Sequence, residues 1–176
     1  MSCVCENISG GISLTCSNNI GGIKEIYITE KCNISSITLG SPDDSISAIT
    51  MVGVTKFYKF EFTKNSSSYT EVTASDSTNG TELTTQTVIL KLNRREKTKR
   101  DALELLGNFK DLAIIVKDSN GLIMLFGETN GMNRTTQEGG SGVTKTDSNG
   151  YTITFVGEEA DEANFMSAAV LATVIA

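Results

Sequence analysis

The sequence predicts a mainly β fold with one α-helix, on three observations. Ser, Thr and Asn are abundant beside 16 glycines, while proline appears once, at Pro42. That composition favours many turns between short strands over long helices. Apolar residues recur at period two in short runs bounded by Gly, Asn, Asp and Ser, the pattern of half-buried strands. Only residues 94–106 read as a convincing helix, closed by Gly107. At 176 residues the expectation is one domain with a real core.

The elements follow in order. "GISLTC" (residues 11–16) is a short alternating strand, and "NNIGG" after it is turn chemistry. "IKEIYITE" (residues 23–30) alternates, with Lys24, Ile26 and Ile28 on one face and Ile23, Glu25, Tyr27 and Thr29 on the other. "ISSITLG" (34–40) is a further short strand. "ISAITMV" (46–52) and "KFYKFEF" (56–62) flank Gly53 and read as a hairpin. In the second of these, Phe57 is out of phase with Tyr58, Phe60 and Phe62, an aromatic row suited to a core or a subunit interface. A base-stacking platform is the competing reading, with only Lys56, Lys59 and Lys64 nearby to support it.

Residues 65–81 are polar and read as a long flexible hairpin or exposed loop, with its turn near Asp76, Asn79 and Gly80. "ELTTQTVILKLN" (82–93) is a long strand with Thr84, Gln86, Val88, Leu90 and Leu92 on one face. In the helix, Ala102, Leu103, Leu105 and Leu106 supply an apolar stripe. Its first half carries Arg94, Arg95, Lys97, Lys99 and Arg100. A DNA contact is one reading of that cluster; a solvated face, or an electrostatic contact to an acidic neighbouring subunit, is the other. "DLAIIVKD" (111–118) and "GLIMLFGE" (121–128) form a hairpin through a positive-φ turn. "TQEGGSG" (136–142) is a Gly-rich loop, followed by a weak strand and "YTITFVGEE" (151–159). The apolar end "MSAAVLATVIA" is about half a membrane span, so it reads as a docked strand or tail.

Composition narrows the chemistry. The chain has no histidine, which removes the commonest general base and zinc ligand, so no catalytic residue or enzymatic activity is expected. Net charge is −6, a poor match for gripping nucleic acid. Cys3, Cys5, Cys16 and Cys32 lack the paired spacing of zinc knuckles and read as reduced thiols, so no metal is expected. No basic region precedes an apolar stretch at the start, so no signal peptide is read and no membrane partner is expected. Without one, the sequons at Asn7, Asn33, Asn65, Asn79 and Asn133 carry no glycosylation expectation.

A phrase repeats: "DSNGLIMLFGE" (118–128) and "DSNGYTITFVGE" (147–158). As EF-hand loops they fail, because aligning Gly121 or Gly150 at the sixth position puts Val116 or Lys145 first and Gly127 or Val156 last. "SDSTNG" fails likewise, with Gln86 at the last position. "GGSG" (139–142) is neither a phosphate loop nor a nucleophile elbow. Both DSNG phrases therefore read as positive-φ turns opening strands, and no cofactor is expected.

The order of phrases carries a resemblance across nearly the whole chain. It runs "CSNNIGGIKEIYITE", "FYKFEFTKNSSSYTE", "QTVILKLNRREKTKRDALELLGN", "DLAIIVKDSNGLIMLFGETNGM" and "GGSGVTKTDSNGYTITFVGEE". This resembles the tail-tube-like proteins of Bacteroidota phages, including the portal-proximal ring proteins of crAss-like phages. The resemblance implies a tail-tube-like β-sandwich or curled sheet with a helix on one flank. It implies a virion structural protein, made in the host bacterial cytoplasm and resident in the tail or neck. Hexameric or dodecameric rings of this chain would stack on adjacent tail or portal ring proteins around a channel, through which genomic DNA passes during ejection without specific binding. A hairpin that reaches the adjacent ring is part of that expectation, with Ser68, Tyr69, Asp76, Asn79 and Gly80 as its candidate residues. Arg94, Arg95, Lys97, Lys99 and Arg100 are the candidate subunit-contact helix residues. A repeating tube and a single connector ring both fit the resemblance. A capsid decoration or fibre-attachment module is the alternative function.

Overall fold

A computed structural model of the chain describes residues 11–12, 19–41, 45–107 and 110–176. Most of the strand expected at 11–16 falls outside them, as do Cys3, Cys5 and Cys16. The described residues form eleven strands and two α-helices. The strands are β1 (Ile23–Glu30), β2 (Ile34–Leu39), β3 (Ile46–Met51), β4 (Tyr58–Phe60), β5 (Ser68–Asp76), β6 (Thr81–Asn93), β7 (Leu112–Asp118), β8 (Ile123–Phe126), β9 (Met132–Gly140), β10 (Gly150–Glu159) and β11 (Asn164–Phe165). The helices are α1 (Lys97–Leu105) and α2 (Ala168–Val174). The mainly β expectation holds.

Nine strands make one antiparallel sheet, while β2 and β3 pair separately. One run of the large sheet is β5–β6–β10–β9; the other is β4–β1–β7–β8–β11. A single register pair, Leu112 with Met132, joins β7 to β9. The sheet curls on itself. Tyr69 of β5 packs against Phe126 of β8 with ring centroids 5.5 Å apart, although these strands are distant in the pairing order. Gln86 of β6 likewise accepts the Gly127 N–H, just past β8, at 3.0 Å.

The concave side holds the first core, built from Ile26 and Ile28 of β1, Val88 and Leu90 of β6, Ile114 and Val116 of β7, and Ile153 and Phe155 of β10. The opposite faces of β1, β7 and β8 form a second core with β3 and α2, around Tyr27, Phe57, Ile115, Leu125 and Leu171. Strand β7 is thus covered on both sides, which its unbroken "LAIIV" run requires. Each fully buried Ile or Leu contributes about 1.5–3 kcal/mol relative to exposure.

Several expectations are corrected. Ile23 lies with Ile26 and Ile28 rather than with Tyr27, because a bulge between Ile23 and Glu25 shifts the register of β1 on β7. Strands β3 and β4 do not form a hairpin. Strand β3 pairs with β2 and β4 with β1, and Phe57 turns into the second core beside Ile175. The Tyr58 row splits: Phe60 and Phe62 pack on the first core, while Tyr58 is 60% exposed. Helix α1 begins at Lys97 rather than at 94, because Arg94 takes a left-handed conformation (φ 58°) and donates its N–H to the Asn149 carbonyl. Leu105 is not part of the buried stripe and stands 65% exposed.

The apolar C-terminal end docks as expected but as a helix. Ser167 caps α2 by accepting the Val170 N–H, and Leu171 and Val174, three residues apart, face the core. The "TQEGGSG" loop is strand through Gly140, laddered on β10 from Gln137–Ile153 to Gly140–Gly150. The weak strand expected next is turn and irregular chain.

Candidate assembly surfaces

The polar 65–81 stretch folds as most of a hairpin. Nine register pairs tie β5 to β6, from Ser68–Ile89 to Asp76–Thr81. The tip is set by local chemistry. Asp76 accepts the Thr78 N–H at 2.8 Å and the Asn79 amide at 2.6 Å, and Gly80 takes φ 64°. These bonds, the Thr78 backbone bond foremost, lower the Asp76 pKa. Ser68 is exposed at the base. Tyr69 beside it is partly buried against Phe126, and burial together with the Asp118 and Glu71 carboxylates raises its phenol pKa. Of the five hairpin candidates, only Asp76, Asn79 and Gly80 therefore share the tip.

Three properties distinguish this hairpin. Its outer face exposes Val72 (62%) and Leu83 (40%). Residues 65–90 contain Glu71, Asp76 and Glu82 but no Lys or Arg. Strand β5 also ends the pairing order, so among the described residues its outer backbone edge has no partner.

The hairpin root is fixed by a polar bracket that sequence reading did not single out. Glu71 Oε1 accepts the Ala163 N–H at 2.7 Å and the Gln86 amide at 3.3 Å, while Gln86 Oε1 accepts Gly127 N–H. Nearby, Glu159 Oε1 accepts the N–H groups of Thr129 and Asn130 at 3.0 and 2.8 Å. Burial raises the Glu71 pKa. The Ala163 N–H opposes that rise and the Glu162 carboxylate adds to it. The available signal was Thr84 and Gln86 standing on the apolar face of β6, since polar residues on a core face need dedicated partners.

The basic cluster before and within α1 is largely neutralised along the chain. Arg94 pairs with Glu96 at 3.1 Å, Lys97 with Asp101 at 2.7 Å and Arg100 with Glu104 at 3.2 Å. Lys99 donates to the Asn93 carbonyl at 2.6 Å, and Arg95 lies over the Tyr151 ring, 5.3 Å from its centroid. Arg95 and Lys99 thus tie the helix start to the sheet, and no continuous free basic strip results. At the other end, Leu103 is fully buried, and Arg134 donates to its carbonyl at 2.8 Å, a cation where the helix dipole favours one.

Helix α1 closes one end of the curled sheet incompletely. A groove of about 240 Å³ remains between α1 and the ends of β1 and β4, lined by Ile28, Tyr58, Phe60, Ala102, Leu105 and Leu106 together with the polar Thr29, Glu30 and Asn33. Cys32 is exposed on the 3-10 turn Lys31–Asn33 beside it, its thiol 3.6 Å from Glu30. Among the described residues, no group of three or more His, Cys, Asp or Glu could hold a metal ion.

No protein-family model, curated protein or solved structure matches this chain. Its surfaces therefore carry the functional argument. Among the described residues, no helix is long and apolar enough to cross a membrane.

Proposed function

We propose that this chain is a structural subunit of a phage virion, assembling into a homo-oligomeric ring in the tail or neck around a channel for DNA. The observation that carries the reading is the β5 edge: nine residues long, with no backbone partner outside β6 among the described residues. Natural edge strands are commonly blunted by lysine, proline or a cover. This one has neither residue, and its inward carboxylate, Glu71, is engaged by Gln86 and Ala163. Such an edge suits strand addition by another chain, and ring closure would bury it. The ordered phrases resembling tail-tube-like phage proteins supply the identity of the assembly.

Light scattering and negative-stain imaging of the purified protein over a wide concentration range test the reading. Rings of fixed symmetry, together with labelling of the protein at the tail or neck of particles, are the expected result. Labelling spread over the capsid surface would point to a decoration protein instead. Monomers under every condition, with none of the protein in particles, would end the proposal.

A further inference from the structure

We propose that Asn79, at the tip of the β5–β6 hairpin, is a site of spontaneous deamidation selected by the fold, whether or not the chain forms rings. Asparagine followed by glycine is the pair most open to this reaction, because no Cβ on the glycine shields its backbone nitrogen. The chain contains four such pairs: Asn79–Gly80, Asn120–Gly121, Asn130–Gly131 and Asn149–Gly150. Each is preceded by Ser or Thr, so their intrinsic reactivities are similar and the surroundings decide between them. The glycine nitrogen must swing onto its neighbour's side-chain carbon, which demands a free backbone and a free amide.

Three of the pairs are held. Asn120 Oδ1 accepts the Ile20 N–H at 2.9 Å, its amide donates to Asn19 at 3.0 Å, and the Gly121 N–H donates to the Asp118 carbonyl at 3.3 Å. The Asn130 amide donates to the Glu158 carbonyl at 2.7 Å, and a methyl on Gly131 would lie 2.7 Å from the Asp111 Cβ. Gly150 sits inside β10, in register with Asn93 on one side and Gly140 on the other. Asn79 differs. Both it and Gly80 are exposed, and a methyl on Gly80 would meet nothing within 4 Å. Gly80 lies outside the β5–β6 register, and among the described residues its N–H makes no backbone bond. The Asn79 amide donates to Asp76 within the same turn. Both partners are exposed, so water replaces that bond at little net cost.

After losing its proton to hydroxide, the Gly80 nitrogen attacks Asn79 Cγ. A C–N bond forms, the Cγ–Nδ2 bond breaks, and Nδ2 takes a proton from water to leave as ammonia. Water then opens the cyclic imide at either carbonyl, leaving Asp or isoAsp in the chain. Either product adds a carboxylate and removes the donor to Asp76, in a hairpin whose charged residues are already Glu71, Asp76 and Glu82. Repulsion then loosens the tip.

Peptide mapping by mass spectrometry tests this on the full chain held warm at pH 8, folded and, in parallel, unfolded in urea. In the folded protein Asn79 should convert about tenfold or more faster than each of the other three, because those must first open locally. In urea the four rates should draw together. Raising the pH should speed conversion, since the glycine nitrogen must lose its proton. Asn79→Gln, whose longer side chain disfavours ring closure, should remove the signal from the tip peptide and leave the other three sites unchanged. Equal rates at the four sites of the folded chain, or faster conversion at any of the other three, would overturn the proposal. A lead at Asn79 that persists undiminished in urea would overturn selection by the fold.

Discussion

At Gly127 and Gly157 the two copies of the repeated phrase meet in space. Gly127 has φ 70°, and a methyl group there would lie 2.7 Å from the Leu112 carbonyl oxygen and 2.8 Å from the Met132 nitrogen. A methyl on Gly157 would lie 2.9 Å from the Gly131 oxygen and 3.1 Å from the Met132 side chain. Both glycines thus back onto Gly131 and Met132, where β7 touches β9. Gly127→Ala combines a strained φ with a backbone clash, so it should cost on the order of 2–3 kcal/mol, read as a lower urea midpoint. The paired Asp residues behave differently from each other. Asp118 accepts the Leu122 N–H across the positive-φ Gly121 turn, as the sequence suggested. Asp147 instead turns backward to the Val143 and Thr144 N–H groups, and Gly142 takes the positive φ. Gly150 is glycine for another reason, since a methyl there would lie 2.0 Å from the Leu92 oxygen. The expectation that both DSNG turns share one conformation is thus corrected. Four identical letters do not encode one turn, because the strands on either side decide which backbone must bend.

At the scale of elements, what could be read was set by whether one strand's own pattern decided its fate. Strand β6 was legible: Thr84, Gln86, Val88, Leu90 and Leu92 form one face in sequence and one buried face in the fold. The partners of β3 and β4 were not legible, because adjacency in sequence suggests a hairpin and only tertiary packing sends Phe57 into the second core. Leu105 was readable in principle. It lies two residues from Leu103, about 200° around a helix of 3.6 residues per turn, so both cannot face one core. The polar bracket at the hairpin root yields a pH prediction. Glu71 has its pKa raised in the fold, chiefly by burial and further by Glu162. Raised pKa means the folded state holds the proton more tightly, so its contribution is fully present below the ordinary value of 4.5 and is lost as pH rises through the folded value. Glu71→Gln keeps an acceptor for the Ala163 N–H and removes that penalty. The variant should therefore exceed the parent in urea stability at pH 8, with the gap narrowing as pH falls toward 4.5. A gap independent of pH would refute the burial account.

For the whole molecule, the fold separates a part that supports itself from a part available to others. Both cores lie away from the hairpin tip: beyond Thr73 and Thr84, whose hydroxyls bond at 2.9 Å, strand β5 is exposed throughout. The register there pairs Thr73 directly with Thr84. Residues 74–83 can therefore be replaced by Asn-Gly, a two-residue turn suited to close a hairpin, while Glu71, Gln86 and the bracket below stay in place. If the outer hairpin serves assembly alone, the shortened protein should melt within a few degrees of the parent, on the order of 1 kcal/mol, and lose ring formation. Circular dichroism melting and light scattering on the same preparation read the two outcomes separately. Loss of folding would instead make the outer hairpin part of the scaffold, and rings of unchanged symmetry would remove it from the interface.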